Sequence, residues 1–439
     1  MVRPNVTVVG GLAPTRVAFD NGAVFLGKHT HTTPAVAISL AMRAGSICDP
    51  DDAVGATWLL SRVIDRGTTT RSALDIADEL DNRGISLNFA VTRHILAVVC
   101  TCLAEDFEPV LSLAAEMLMH PSLPEGEIAT RKGEVVTAIR QDEDNPAVRA
   151  TESLMALLYP DGHPYGRPTK GTIEVVDSLT RERLLRLHAD RFAPGELTAV
   201  IVGDVEVDRA RDLVERAFGD WRKPRPAPVP LAAPVPGRGR RRLVIPMMNK
   251  AQTDIACGFT TIRRADPAYD ALRLMNNVLG QYALGGRLGD SIRERQGMAY
   301  YVSSAVDPNV IEGPLLIRAG ISPANVDRAV ASIDEELTRL VQEGVTATEL
   351  DDSRRYLIGS MPRALETNAA IAMFLQNAEF FGLGTEYDLR MPDLLRAVTL
   401  DEVNAVARRV IDPSRAALVI AGPYEEPPLF HDSRSALRR

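Results

Sequence analysis

Leu197-Thr198-Ala199-Val200-Ile201-Val202-Gly203, near the middle of the chain, and Ala416-Ala417-Leu418-Val419-Ile420-Ala421-Gly422, near its end, are two versions of one segment. Each is an apolar run closed by Gly, the pattern of a buried strand. Each follows a Pro turn, Phe192-Ala193-Pro194 in one copy and Ile411-Asp412-Pro413 in the other. Ahead of the turn stands Leu179-Thr180-Arg181-Glu182-Arg183-Leu184 or Val398-Thr399-Leu400-Asp401-Glu402-Val403. A Thr in that place caps the free N–H groups that open a helix. Thr180/Thr399, Pro194/Pro413, Val200/Val419, Ile201/Ile420 and Gly203/Gly422 fall at one offset. Further upstream, Pro124-Glu125-Gly126-Glu127-Ile128 and Thr346-Ala347-Thr348-Glu349-Leu350 open helices of similar length. The order strand, helix, strands, long helices, helix, final strand therefore occurs twice. It predicts an α+β fold of two homologous domains, each a mixed α/β sheet with its helices.

Between the copies lies Trp221 to Arg242, where Pro224, Pro226, Pro228, Pro230, Pro234 and Pro236 alternate with other residues. Closely spaced prolines hold an extended backbone and can continue neither a helix nor an internal strand. This stretch reads as a linker closed by Arg238-Gly239-Arg240-Arg241-Arg242, a solvated or carboxylate-paired run. The expected division is 1–221, linker 222–242, 243–425 and a tail 426–439.

The chain has 439 residues, 45% of them hydrophobic, with a net charge of −8, which excludes a largely disordered chain. The acidic balance argues against nucleic acid as partner. No apolar run reaches about 18 residues, so no spanning helix and no membrane partner are expected. The N-terminus runs straight into a strand-like Val6-Thr7-Val8-Val9 with no charged-then-apolar signal. Four Cys do not make a disulfide framework and fit a reducing cytoplasm. Cys100 and Cys102 read as small core residues.

In the second half, Gly285-Gly286-Arg287-Leu288 leads into Ile292-Arg293-Glu294-Arg295-Gln296-Gly297-Met298-Ala299-Tyr300-Tyr301-Val302. A helix holding Leu288, Ile292 and Arg293 stops at Gly297 and a strand begins at Ala299. Arg293 near the helix end and Tyr300 at the strand start can converge. A guanidinium and a phenol aimed at one point suit a carbonyl becoming an oxyanion.

This string closely resembles the second-domain signature of the pitrilysin/insulinase family of zinc peptidases, which includes the mitochondrial processing peptidases and the core subunits of respiratory complex III. The resemblance covers most of the chain, since members of this size also have two homologous α+β halves and a linker. It implies a processing-peptidase-like metallohydrolase fold, with Arg293 and Tyr300 binding substrate backbone and stabilising the transition state.

Active members carry His-x-x-Glu-His, followed further along by a ligand Glu. Two His on one helical face hold zinc and the adjacent Glu takes a proton from the metal-bound water. Here the framework Gly55-Ala56-Thr57-Trp58-Leu59-Leu60-Ser61-Arg62 and Arg66-Gly67-Thr68 places Trp58 at the first His, Ser61 at the Glu and Arg62 at the second His. In Glu134-Val135-Val136-Thr137-Ala138-Ile139-Arg140 the ligand Glu aligns with Ala138. Arg62 keeps its proton and repels a cation. The seven His offer no substitute pair at i,i+4. His29 and His31 share one face of an early hairpin and read as exposed polar residues, and His163 as structural.

The resemblance therefore implies no metal and no cofactor in this chain. It implies the Arg/Tyr-bearing, non-zinc subunit of a heterodimer, with zinc held by a homologous partner chain and an unfolded peptide as substrate. The stretch Ser86-Leu87-Asn88-Phe89-Ala90-Val91, with Leu87, Asn88 and Phe89 as candidate substrate-binding residues, follows the Gly84 helix stop. In family members the corresponding edge strand adds an extended peptide as a further strand, though a plain structural strand is the alternative. The other reading of the whole chain is a catalytically inactive pseudopeptidase serving as an assembly or peptide-binding scaffold.

Overall fold

A computed structural model describes residues 11–235, 237–281 and 285–425. The expected strand at Val6–Val9 and the tail 426–439 lie outside them. Two mixed sheets are formed. The first contains β1 (Thr15–Ala18), β2 (Val24–His29), β3 (Ala35–Met42), β4 (Asn88–Val91), β5 (Leu96–Leu103) and β6 (Leu197–Gly203), in the order β1-β2-β6-β3-β5-β4. The second contains β7 (Arg241–Pro246), β8 (Thr253–Thr260), β9 (Ala299–Val306), β10 (Pro314–Ile321) and β11 (Ala417–Gly422), in the order β7-β11-β8-β10-β9. Setting β2 on β7, β6 on β11, β3 on β8, β5 on β10 and β4 on β9 superposes the two orders. The duplication in the sequence is a duplication of topology.

The repeated apolar runs are β6 and β11, and each lies parallel to one neighbour and antiparallel to the other. Their closing glycines are required. Gly203 has φ +150° and a Cβ there would lie 2.2 Å from the Ala35 carbonyl oxygen. Gly422 has φ +142° and a Cβ there would lie 2.6 Å from Thr253 Cα. Ahead of each run, Thr180 and Thr399 cap their helices, the latter in a capping box with Glu402.

The helices that frame the sites and join the halves are α1 (Ala56–Val63), α2 (Ala73–Asp81), α3 (Glu125–Glu143), α4 (Pro146–Leu158), α5 (Val207–Phe218), α6 (Ala347–Ala364) and α7 (Asn368–Phe380). Two of them cross between halves. From the second half, α7 lays Ile371, Ala372 and Leu375 on Leu26, Ala37, Val200 and Val202 of the first sheet. From the first half, α4 lays Ala150, Leu154, Met155 and Leu158 on Ala256, Ala417, Val419 and Ala421 of the second. Each sheet is thus covered on both faces, one cover being borrowed, so its central strands are apolar without alternation. Each fully buried Leu or Ile in these contacts contributes about 1.5–3 kcal/mol.

Among the described residues 222–240 no helix or strand forms. The His163 ring pins this stretch, accepting from the Tyr165 N–H at Nδ1 (3.0 Å) and meeting the Ala232 carbonyl at Nε2 (3.0 Å). The basic run that follows is carboxylate-paired: Arg240 makes two bonds to Asp334 (3.0 and 2.8 Å). Arg241 and Arg242, placed in the linker by composition, are the first residues of β7, where they pair with Ala417 and Leu418. Cys48, Cys100, Cys102 and Cys257 are free and buried, and burial pushes the Cys100 and Cys102 thiols up to about 12.

Candidate functional site

The first corner is the start of α1. Gly55, at φ +98°, delivers the chain into the helix with Lys170 O only 2.4 Å from where a Cβ would stand. The buried Asp49 carboxylate accepts from Gly55 N (2.8 Å), Thr57 N (2.8 Å) and Thr57 Oγ1 (2.6 Å), satisfying the helix's first donors. Burial pushes its carboxyl up to about 6, against the pull of these bonds. One turn on, Ser61 Oγ donates to Trp58 O (2.7 Å). The Arg62 guanidinium lies over the Trp58 ring at 4.9 Å, and the Lys170 ammonium is 5.7 Å from the same ring. Ala138 is half-buried on α3, which packs against α1.

Cations gather here. The Asp65 carboxyl is raised by burial, with Arg66, Arg131 and Arg62 pulling the other way. Glu134 is lowered by its hydrogen bond from Arg131, then by Arg66 and Arg62. Asp65 pairs with Arg66 (3.2 Å), Glu127 with Arg131 (3.6 Å) and Asp142 with Lys170. A Trp ring, a serine hydroxyl bonded to its own helix and stacked cations supply no imidazole pair and no free carboxylate. These residues do not fit a zinc ion.

The second corner is in the other half. Residues Gly289–Arg295 form a π-helical turn in which Ile292 is fully buried and Arg293 points outward. Gly297 (φ +61°) stops it, with Gly297 N bonding Arg293 O (3.0 Å) and Met298 N bonding Ile292 O (3.1 Å). β9, the edge strand of its sheet, starts two residues later with Tyr300 near its head. Arg293 has 47% of its side chain exposed and pairs loosely with Glu294 (3.7 Å). Tyr300 is 83% exposed. Both side chains face solvent. Just ahead of this turn, Arg287 is buried and binds Glu349 through Nε (2.7 Å) and Nη2 (2.8 Å), and Gly344 O through Nη2 (2.7 Å).

The third feature is β4, the free edge of the first sheet. The strand begins at Asn88, not Ser86, so Leu87 precedes it. Leu87 and Phe89 pack on the side of Ile76, Leu113 and Met117, while Asn88 and Ala90 are exposed on the opposite face. That opposite face borders a cavity of about 1290 Å³ between β4, β5, α7 and residues Arg264 and Tyr269. Alternation along the strands puts this cavity and α1 on opposite faces of the sheet. Of the three residues named from sequence, Asn88 alone turns its side chain to the cavity.

The duplicated α+β chain thus carries exposed Arg293 and Tyr300 in its second half and a cation-rich helix corner in its first. The family model described as "Insulinase (Peptidase family M16)" matches residues 24–172, and the one described as "Peptidase M16 inactive domain" matches residues 178–357. The chain belongs to the pitrilysin/insulinase family of metallopeptidases. It is 28% identical over 423 residues to an uncharacterized zinc protease of Mycobacterium tuberculosis, covering 94% of each chain. It is 26% identical to the uncharacterized zinc protease YmxG of Bacillus subtilis, covering 92% of this chain and 98% of that one. Its fold is similar to a peptidase M16 inactive domain from Pseudomonas fluorescens (TM-score 0.87, 25% identity, 94% and 98% coverage). The periplasmic protease PqqL of Escherichia coli shares the fold (TM-score 0.75, 18% identity) over 94% of this chain but 46% of that longer one. Among the described residues no helix is long and apolar enough to cross a membrane.

Sequence reasoning missed Arg66, Arg131 and Lys170 as neighbours of the α1 corner. Only the Arg66 signal was near at hand, four residues past Arg62.

Proposed function

We propose that this chain is the non-zinc subunit of a two-chain zinc endopeptidase. A homologous partner holds the metal, and this chain presents Arg293 and Tyr300 across a shared chamber to an unfolded peptide. In that partner a bound zinc would act as Lewis acid and activate the attacking water. Arg293 and Tyr300 donate hydrogen bonds to the carbonyl oxygen of the scissile bond as it gains charge, and hold the peptide backbone in place. The observation that carries the reading is the contrast between the corners. The α1 residues contact one another, while Arg293 and Tyr300 are exposed and, among the described residues, Arg293 meets only Glu294 at 3.7 Å. The free edge of β4 supports a second, weaker role as a strand template for peptide, in which backbone groups bind and Asn88 faces outward. Four free, buried cysteines support a reducing, cytoplasmic location.

Co-purification with the zinc-bearing homologue and a peptide-cleavage assay test this. Arg293→Ala and Tyr300→Phe should each lower turnover by roughly 10²–10³, the scale of one lost oxyanion donor. Unchanged turnover in both variants counts against the clamp and favours the scaffold reading.

A further inference from the structure

The sequence pairs His29 with His31, and the fold adds a ligand that sequence could not connect. His29 is the last residue of β2, and parallel pairing sets it beside Gly203, the last residue of β6. The next residue, Asp204, therefore emerges next to both imidazoles. Asp204 Oδ1 lies 3.0 Å from His31 Nδ1 and 3.6 Å from His29 Nε2. One ligand atom from each of the three residues lies within 4.8 Å of the other two. Bonds of ~2.0–2.1 Å to a tetrahedral zinc place neighbouring ligand atoms roughly 3.3 Å apart, a spacing that the two Asp204 contacts bracket.

A second observation points the same way. The other His29 nitrogen, Nδ1, faces Glu206 Oε1 at 3.4 Å. Metal-bound histidines commonly give their free N–H to a carboxylate, which fixes the tautomer and aims the remaining nitrogen at the ion. Among the described residues, the ion pairs of Asp204 and Glu206 go to these histidines, with no Lys or Arg competing. Two imidazoles and two carboxylates are a donor set suited to a divalent cation. The frame is stiff: Thr30 N bonds Gly203 O (2.9 Å), Asp204 N bonds Ala35 O (3.1 Å), and Gly203 admits no side chain. His29 is mostly covered and His31 is 77% exposed, so the site opens to solvent on one side.

We propose that His29, His31 and Asp204 form a binding site for a zinc-class divalent cation, with Glu206 orienting His29 and water completing the coordination. The site is separate from the α1 corner and independent of the two-chain reading. Between the two histidines, Thr30 Oγ1 bonds Asn368 at the start of α7 (3.0 Å), so a bound ion fastens the strand end on which the crossing helix sits.

The test titrates the full chain, stripped with a chelator, with Zn²⁺ against a chromophoric competitor. One tight site per chain is expected. His31→Ala, an exposed position, should weaken it at least tenfold, and Glu206→Gln roughly tenfold, the scale of a lost orienting carboxylate. Co²⁺ should give a visible d–d band that His31→Ala abolishes. Arg62→Ala should leave the affinity unchanged. Equal affinity in wild type and His31→Ala, or no binding below millimolar Zn²⁺, overturns the proposal. Zinc retained by His31→Ala but lost on changing Trp58 or Arg62 overturns it and the non-zinc reading together, whereas failed peptide cleavage bears on the latter alone.

Discussion

The α1 corner and the Gly297 corner occupy homologous halves, yet their side chains are spent in opposite ways. At α1 the side chains meet one another: Ser61 bonds its own helix, Arg62 and Lys170 lie around the Trp58 ring, and Asp49 holds the first turn. At Gly297 the burial lies in Leu288, Ile292 and Met298, while Tyr300 is exposed and Arg293 is half exposed with a loose contact to Glu294. A polar group satisfied by its own fold adds stability. One held in place but left unsatisfied keeps its binding energy for a ligand. Both helices ahead of the edge strands end in the same way, at Gly84 (φ +63°) and Gly297 (φ +61°), with open space where a Cβ would be. The two stops share a backbone, but the turn before Gly297 is π-helical where α2 is an α-helix.

The contrast is most exposed to test at Arg287. Removing a buried partner from a bidentate pair costs about 3–5 kcal/mol, so Arg287→Ala should fall near the lower end, because Glu349 is partly exposed. Denaturant unfolding measures it. Burial alone would raise the Glu349 carboxyl, but hydrogen bonds from Arg287 and from the Thr346 N–H bring it down to about 2. A carboxyl lowered by folding stabilises above its unfolded value near 4.5 and loses that contribution as pH falls towards 2. Wild type should accordingly lose stability over that window more steeply than Arg287→Ala. If the strut also aims the corner, the variant loses cleavage activity in the complex at temperatures where it remains folded.

Next in size are Arg293→Ala and Tyr300→Phe, at roughly 10²–10³ in turnover. Because both side chains are exposed, their melting temperatures should match wild type. A matched fall in stability and turnover would instead make the pair structural and erase the contrast. Asp49→Ala follows, at about 2 kcal/mol of unfolding free energy, the upper range for a lost helix cap.

Much of the fold beneath this contrast was legible in the sequence. Val200, Ile201 and Gly203 with Val419, Ile420 and Gly422 announced the duplication, because a buried strand needs an unbroken apolar run and its Gly exit has no room for a side chain. The resemblance sets Arg62 at a ligand position, where its proton, which it cannot lose, argues against a metal. What escaped were relations between distant elements. The apolar stripes of α4 and α7 predict helices but not that each covers the other half's sheet. Asp204 lies 173 residues from His31, and only the β2–β6 pairing brings them together. The π-helical turn at Gly289–Arg295 carries an ordinary helical pattern of Leu288 and Ile292, so its extra width left no mark in the sequence.

The smallest expected effect separates a spent residue from a poised one. A guanidinium over Trp at a partly exposed site is worth about 0.5–1 kcal/mol, so Arg62→Ala should cost that much in denaturant unfolding and nothing in turnover of the complex. Arg62→Met should recover part of the loss, since its chain still packs on Trp58 while the charge is gone. A large loss of turnover in Arg62→Met with unchanged stability would mean that the α1 corner meets substrate after all. The two corners would then be halves of one site, and the division of labour between them would fail at its cheapest test.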